Sequence, residues 1–306
     1  LQLRKTRTGI DHNNAVLLTG SSGGIGVETG CALAATGGKV YLGVCDLEKG
    51  KQALKEILEP GRAELIELDV GPIESVRTAV KTFLSKSTQL NVLVNNAGIM
   101  ACPEGKTLDG FELQLAINYL GHFLLYKLLE QTLLSSSTPE LHSRVVNVSS
   151  PGHHMSSVVL DYINLDGEYE VWKAYGNAKT ACIWTTNEIE RRYGTSRGLH
   201  GLSLMPGGIA TSLQRHVDSE TLKQWGSSEP AKKYGKSPAQ GATTTMTAAV
   251  GKEWEGKGGV YLEDCQEAGP IPEGGTLAVG DAPHAFDPEG EKKLSALSLK
   301  TLNLSE

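Results

Sequence analysis

Ala15-Val16-Leu17-Leu18-Thr19-Gly20-Ser21-Ser22-Gly23-Gly24-Ile25-Gly26 is the stretch that decides the fold. Four apolar residues run into a cluster of glycines and hydroxyls. This reads as a buried strand, Ala15–Thr19, that breaks into a tight turn and opens a helix ending near Gly37-Gly38. Glycines at such a turn let backbone N–H groups approach a pyrophosphate at the helix N-terminus. The spacing is T-G-x-x-x-G-x-G, not the commoner G-x-G-x-x-G. A glycine-rich turn with no ligand is the plain alternative. Its place on the first strand of a βαβ unit favours the binding reading.

Outward from this turn, short β-branched runs alternate with longer amphipathic stretches. Candidate strands are 15–19, 39–44, 63–68, 91–94, 144–148, 200–204 and 259–262, most of them continuous apolar runs of the kind buried on both faces. Candidate helices include 47–58, 73–85, 110–134 and 172–192. The alternation predicts an α/β fold, Rossmann-type and doubly wound, with a seven-stranded, mainly parallel sheet and helices on both faces. No internal repeat and no Pro-, Gly- or Ser-rich linker divides the chain. Residues 14–306 therefore read as one domain after a flexible lead-in at 1–13, with a substrate-binding lobe at 211–250 and an extended tail at 263–306.

The 306 residues include 29 Lys and Arg against 35 Asp and Glu, a formal net charge of −6. A nucleic-acid or anionic-membrane partner needs a basic face, which this balance argues against. Hydrophobic residues at 39% and charged residues at 21% fit a globular chain rather than a disordered one. No apolar run approaches the ~18 residues that span a bilayer. Leu1–Asn14 is basic and polar, unlike a secretory signal. The five cysteines (Cys31, Cys45, Cys102, Cys182, Cys265) lack C-x-x-C spacing, which suggests reduced thiols in a cytoplasmic protein and no zinc site.

Tyr175 and Lys179 stand four residues apart in Tyr175-Gly176-Asn177-Ala178-Lys179. On a helix they share a face. A nearby ammonium favours the phenolate, so the pair suits proton transfer at neutral pH. Y-x-x-x-K arises often by chance on exposed helices, and its weight depends on the rest of the chain.

The rest of the chain resembles the short-chain dehydrogenases/reductases in their single-domain form. Thr19-Gly20 through Gly26 resembles their cofactor turn, with Gly20, Ser22, Gly24, Ile25 and Gly26 as cofactor contacts. Asp69, followed by Val70, resembles the aspartate beside the adenine ring. Asn95-Asn96-Ala97-Gly98 matches the family's N-N-A-G, implying cofactor contacts at Asn96, Ala97 and Gly98. Asn118 matches the helix asparagine that organises a water in the proton relay. Ser149-Ser150 closes a strand whose second serine orients the substrate carbonyl. Pro206-Gly207-Gly208-Ile209-Ala210-Thr211 resembles the segment that holds the nicotinamide carboxamide, through Pro206, Gly207, Ile209 and Thr211. The resemblance covers about residues 14 to 265. It implies Asn118, Ser150, Tyr175 and Lys179 as the catalytic set, with Tyr175 and Lys179 also touching the cofactor.

The resemblance implies NADP, with NAD as the alternative. Relatives that use NAD place an acid where this chain has Val44, and those that use NADP place an arginine where it has Cys45. Neither group is present, and Asp46 comes one position late; Cys45 and Asp46 remain the candidate ribose contacts. Lys49 or Lys51 offers a cation from the following helix. The 25 positions from Ser150 to Tyr175 form a long insertion bearing His153, His154, Tyr162, Tyr169 and Trp172. Such an insertion occurs in the branch that resembles retinol dehydrogenases and WW-domain oxidoreductases, and it suits either a pocket for a bulky apolar carbonyl or a surface loop. Trp225, Tyr234 and Met246 are substrate contacts or core anchors. The expected reaction is hydride transfer between a nicotinamide and a small-molecule carbonyl or alcohol. The other reading is a catalytically silent dinucleotide-binding protein. A homodimer formed through the helices of Asn118 and Tyr175 is a further implication of the family.

Overall fold

A computed structural model of the chain describes residues 10–161, 163–228, 235–272 and 279–305. Tyr162, Tyr234 and most of the lead-in lie outside them.

The first glycine-rich unit folds as β1 (Ala15–Leu18), α1 (Ile25–Ala34) and β2 (Lys39–Val44). Then come α2 (Leu47–Leu54), β3 (Ala63–Glu67), α3 (Ile73–Lys86) and β4 (Val92–Asn95). A long helical segment follows: α4 (Leu113–Leu115), a π-helical turn (Ala116–Leu120) and α5 (Gly121–Ser136). β5 (Ser143–Val148) precedes a 3-10 turn (Pro151–Met155) and the longest helix, α6 (Val171–Arg197). The remainder comprises β6 (Leu199–Leu204), β7 (Gly208–Ile209), α7 (Ser219–Ser227), β8 (Gly235–Lys236), α8 (Pro238–Val250), β9 (Val260–Glu263), β10 (Gln266–Glu267) and α9 (Pro288–Thr301).

The main sheet runs β10-β9-β6-β5-β4-β1-β2-β3, and all its neighbours are parallel except β10 with β9. Strand side chains alternate between two cores, as the pleat requires. Leu17, Leu93 and Val145, in register across β1, β4 and β5, face α3, α5 and α6. Val16, Leu18, Val94, Val146 and Leu202 face the other layer, where α1 and α8 pack together. The chain reverses its winding between β1 and β4, and in open α/β sheets ligands bind at the strand C-termini of such a switch point.

Four expectations need correction. The sheet has eight strands, not seven, because two residues after the turn at Asp264-Cys265 fold back on β9 as an antiparallel edge. The lead-in is fixed from Ile10 onward: Ile10 is buried beside Gly38, and Asp11 and Asn14 close a turn. The tail is not wholly extended, since α9 packs into the core beside α6 with Leu294, Leu299 and Leu302 buried. Asp287 caps α9 by accepting from the Gly290 N–H, and Pro288 sits at its first position. Of the expected lobe, residues 238–250 form a layer helix. Its capping box, Ser237 with Gln240, and its buried Ala248 and Ala249 belong to the sheet's flank.

Candidate active site

Three segments converge at the C-terminal ends of β1 and β4. Thr19 Oγ1 accepts from the Asn96 and Ala97 N–H groups, both at 2.9 Å. Asn96 Nδ2 donates to Thr19 O at 2.8 Å. Gly20 has φ 69°, and a side-chain carbon there would come within 2.8 Å of Ala97 Cα, so only glycine lets the two turns touch. Gly24 starts α1 with no side-chain cap, which leaves the first N–H groups of a ten-residue helix for an anion. Asn96 Oδ1 is buried without a protein partner. Thr211 packs against Gly24 from across the cleft. These features fit a dinucleotide with its pyrophosphate at the glycine turn.

The remaining cofactor candidates border the same edge. Cys45 and Asp46 are exposed at the end of β2, where Asp46 Oδ1 accepts from the Lys49 N–H and caps α2. Asp69 Oδ1 accepts from the Gly71 N–H, and Val70 packs against Gly121 at the start of α5. Pro206 and Gly207 lead into β7, and Lys236 of the paired β8 donates from Nζ to Pro206 O at 3.4 Å. Ile209 is packed against Gly241 of α8. Ser22 and Ile25 are half-buried beside the turn.

Asn118 sits in the π-turn, a local widening of the helix that recurs at functional sites. Its Oδ1 accepts from the Ile99 N–H and its Nδ2 donates to Ile99 O, both at 3.0 Å. This clamp holds the chain that follows Asn96-Ala97-Gly98. A side-chain carbon on Gly98 would lie 2.7 Å from Asn118 Oδ1 and 3.6 Å from Lys179 Nζ. Lys179 is buried; its Nζ donates to Val148 O at 3.0 Å and stands 5.6 Å from the centre of the Tyr175 ring. Among the described residues no carboxylate pairs with it.

Ser150 opens the 3-10 turn, and its Oγ accepts from the Gly152 N–H at 3.1 Å. A side-chain carbon on Gly152 would come within 2.6 Å of the Tyr175 ring and 3.4 Å of Ser150 Oγ. The serine and the phenol therefore meet across the bare face of Gly152. Ser149 Oγ donates to Lys179 O at 2.8 Å, tying β5 to α6. An apolar wall of Met100, Ala101, Trp172, Leu213 and Val217 packs with Tyr175. Trp225 closes on Trp172 with ring centres 5.8 Å apart.

Sequence reasoning singled out neither Gly152, Met100 and Ala101 nor the link from Thr19 to Asn118 through His122. Thr19 Oγ1, already accepting twice, has its one proton left for His122 Nε2 at 2.9 Å. His122 Nδ1 then donates to Asn118 O at 3.2 Å. Burial holds His122 down to about 4, so it is neutral at ordinary pH. The Asn118-to-His122 spacing, one helical turn, was the available signal for this link. Gly152 follows Pro151 in what reads as an ordinary loop.

The turn and the switch point define a dinucleotide-binding α/β protein. A family model of the short chain dehydrogenases matches residues 14–222, and the chain belongs to that family. It is an NAD(P)-dependent short-chain dehydrogenase/reductase. It is 84% identical to Short-chain dehydrogenase/reductase prx1 of Penicillium roqueforti, over 100% of this chain and 90% of that one. Identity to human Retinol dehydrogenase 11 is 39% over 83% of this chain and 78% of that one, which supports the retinol dehydrogenase-like branch. A crystal structure of a Mycobacterium paratuberculosis protein superposes with a TM-score of 0.72 at 29% identity, covering 100% of this chain and 99% of that one. Among the described residues no helix is long and apolar enough to cross a membrane.

Proposed function

We propose that the chain interconverts a bulky, apolar ketone or aldehyde and its alcohol, using NADP in preference to NAD. The observation that carries this is the meeting of Ser150, Tyr175 and Lys179 around Gly98 and Gly152 beneath an apolar wall. A nicotinamide held at the glycine turn would supply or accept the hydride. In the reducing direction Ser150 Oγ donates a hydrogen bond to the carbonyl oxygen, and Tyr175 transfers its phenolic proton to the developing alkoxide. Lys179 steadies the resulting phenolate and would hold the cofactor ribose. Asn118 keeps the proton path to Lys179 in register through its clamp on Ile99. Met100, Trp172, Leu213, Val217 and Trp225 favour a wide hydrophobic body over a small polar one.

Preference for NADP is supported by Val44, where relatives that use NAD place an acid, and by the tie of Asp46 Oδ1 to the α2 N-terminus. Cys45→Arg is expected to raise the NADP/NAD ratio of kcat/KM about tenfold by adding a charge-assisted contact. An unchanged ratio would place the phosphate elsewhere. The absence of disulfides among the five cysteines supports a reducing, cytoplasmic setting. The proposal as a whole is tested by screening apolar ketones and aldehydes with NADPH and NADH. Turnover confined to small polar carbonyls, or no binding of either cofactor, would refute it.

A further inference from the structure

The residues beyond the family-matched region return to the active site. His153, fully buried in the 3-10 turn that Ser150 opens, lies between two backbone groups whose roles are fixed. Its Nδ1 is 2.7 Å from Ser150 O, which can only accept, and its Nε2 is 3.1 Å from the Ala282 nitrogen, which can only donate. Only the neutral ring with its proton on Nδ1 satisfies both. Burial holds His153 at about 3, consistent with that neutral form.

The same turn is held to the same segment by two further bonds. His284 Nε2 bonds to His153 O at 2.8 Å, and His154 Nε2 to Gly280 O at 2.8 Å. That segment is in turn fastened to the helix of Tyr175 and Lys179. Trp184 Nε1 donates to His284 O at 2.8 Å, and Asn187 Nδ2 to Ala285 O at 3.1 Å. Ser150 and α6 thus share one anchor, residues 280–285, far along the chain from both.

We propose that His153 is a positioning residue that latches Ser150 to the C-terminal segment 280–285 and so sets the serine hydroxyl relative to Tyr175. The proposal rests on the role given to Ser150 above. A backbone shift at Ser150 moves Oγ directly, and small misplacements of a group that contacts the reacting oxygen cost rate rather than cofactor binding.

The test compares substitutions that keep one half of the latch each. His153→Asn retains an amide N–H where Nδ1 stands, whereas His153→Gln reaches the Nε2 position and abandons Ser150 O. His153→Gln is expected to lower kcat about tenfold, roughly the loss of one buried hydrogen bond at the transition state. The NADPH Kd, read by fluorescence, should stay within about twofold. His153→Asn should recover most of the rate. In the wild type, 15N NMR should find His153 protonated on Nδ1 from about pH 5 to 8. The idea is overturned if His153→Gln matches the wild type while Ser150→Ala is inactive. It is also overturned if the Gln and Asn variants lose rate and cofactor affinity together, or if NMR finds the proton on Nε2. Retained activity in Ser150→Ala would instead overturn the role of Ser150, and the NMR result would still decide the latch.

Discussion

Tyr175 touches three things that a surface tyrosine would not. These are the bare face of Gly152, the edge of Trp172, and the region swept by the buried Lys179 ammonium. Removing only its hydroxyl isolates its proposed chemistry. Tyr175→Phe is expected to lower kcat by at least about a hundredfold, the usual span of a lost general acid–base group. The NADPH Kd should hold, because the cofactor turn around Gly20 and Ala97 is untouched. Stopped-flow turnover with a parallel fluorescence titration separates the two, and a variant that keeps most of its rate would displace Tyr175 from the role. The candidate catalytic set was legible in the sequence because hydroxyl, phenol, ammonium and amide groups have few structural reasons to recur in that order. Gly152, Met100 and Ala101 were not, since what matters at each is the space beside it or the neighbour it packs against.

At the level of elements, α9 shows how a helix can hide in a sequence. Its buried positions, Glu291, Leu294, Ser295, Ser298, Leu299 and Leu302, follow the i, i+3, i+4 spacing of a helix face. Half of them are polar, however, so the stripe does not read as apolar. Two of the three polar members have a tertiary partner. Ser298 Oγ bonds Tyr119 OH at 2.6 Å in the π-turn, and Glu291 bonds Asn187 Nδ2 at 2.8 Å and pairs with Arg191. Gly290 allows the helix to lie against the Trp184 indole. Leu294→Ala should destabilise the fold by about 2–5 kcal/mol through the cavity it leaves. Urea denaturation measures this, and a loss below about 0.5 kcal/mol, typical of surface changes, would mean that α9 is not docked in solution.

At the scale of the whole molecule, α9 packs against α6 and the π-turn, so the chain beyond the family-matched region shares the same core. A second global property follows from the buried neutral His122. Unfolded, it titrates near 6.5; folded, near 4. Between those values the unfolded chain binds the extra proton, so the stability that His122 contributes is complete above about 6.5 and is lost as pH falls towards 4. The slope from this residue is about 1.4 kcal/mol per pH unit within that window. His122→Asn should flatten the stability–pH curve by that amount between about pH 6.5 and 4. An unchanged slope would mean that His122 is solvated or already charged in the native state.

The sequence by itself determined the βαβ alternation, the glycine turn and the order of the candidate site residues. Those depend on periodicity and on residue types whose backbone freedom or polarity is intrinsic. Tertiary structure decided that Thr19, His122 and Asn118 form one chain of hydrogen bonds. It also decided that residues 280–285 brace Ser150 and that polar residues make the inner face of α9. Each of these joins groups far apart in sequence, where a hydrogen bond or close contact exists only once the chain has brought its partner into place.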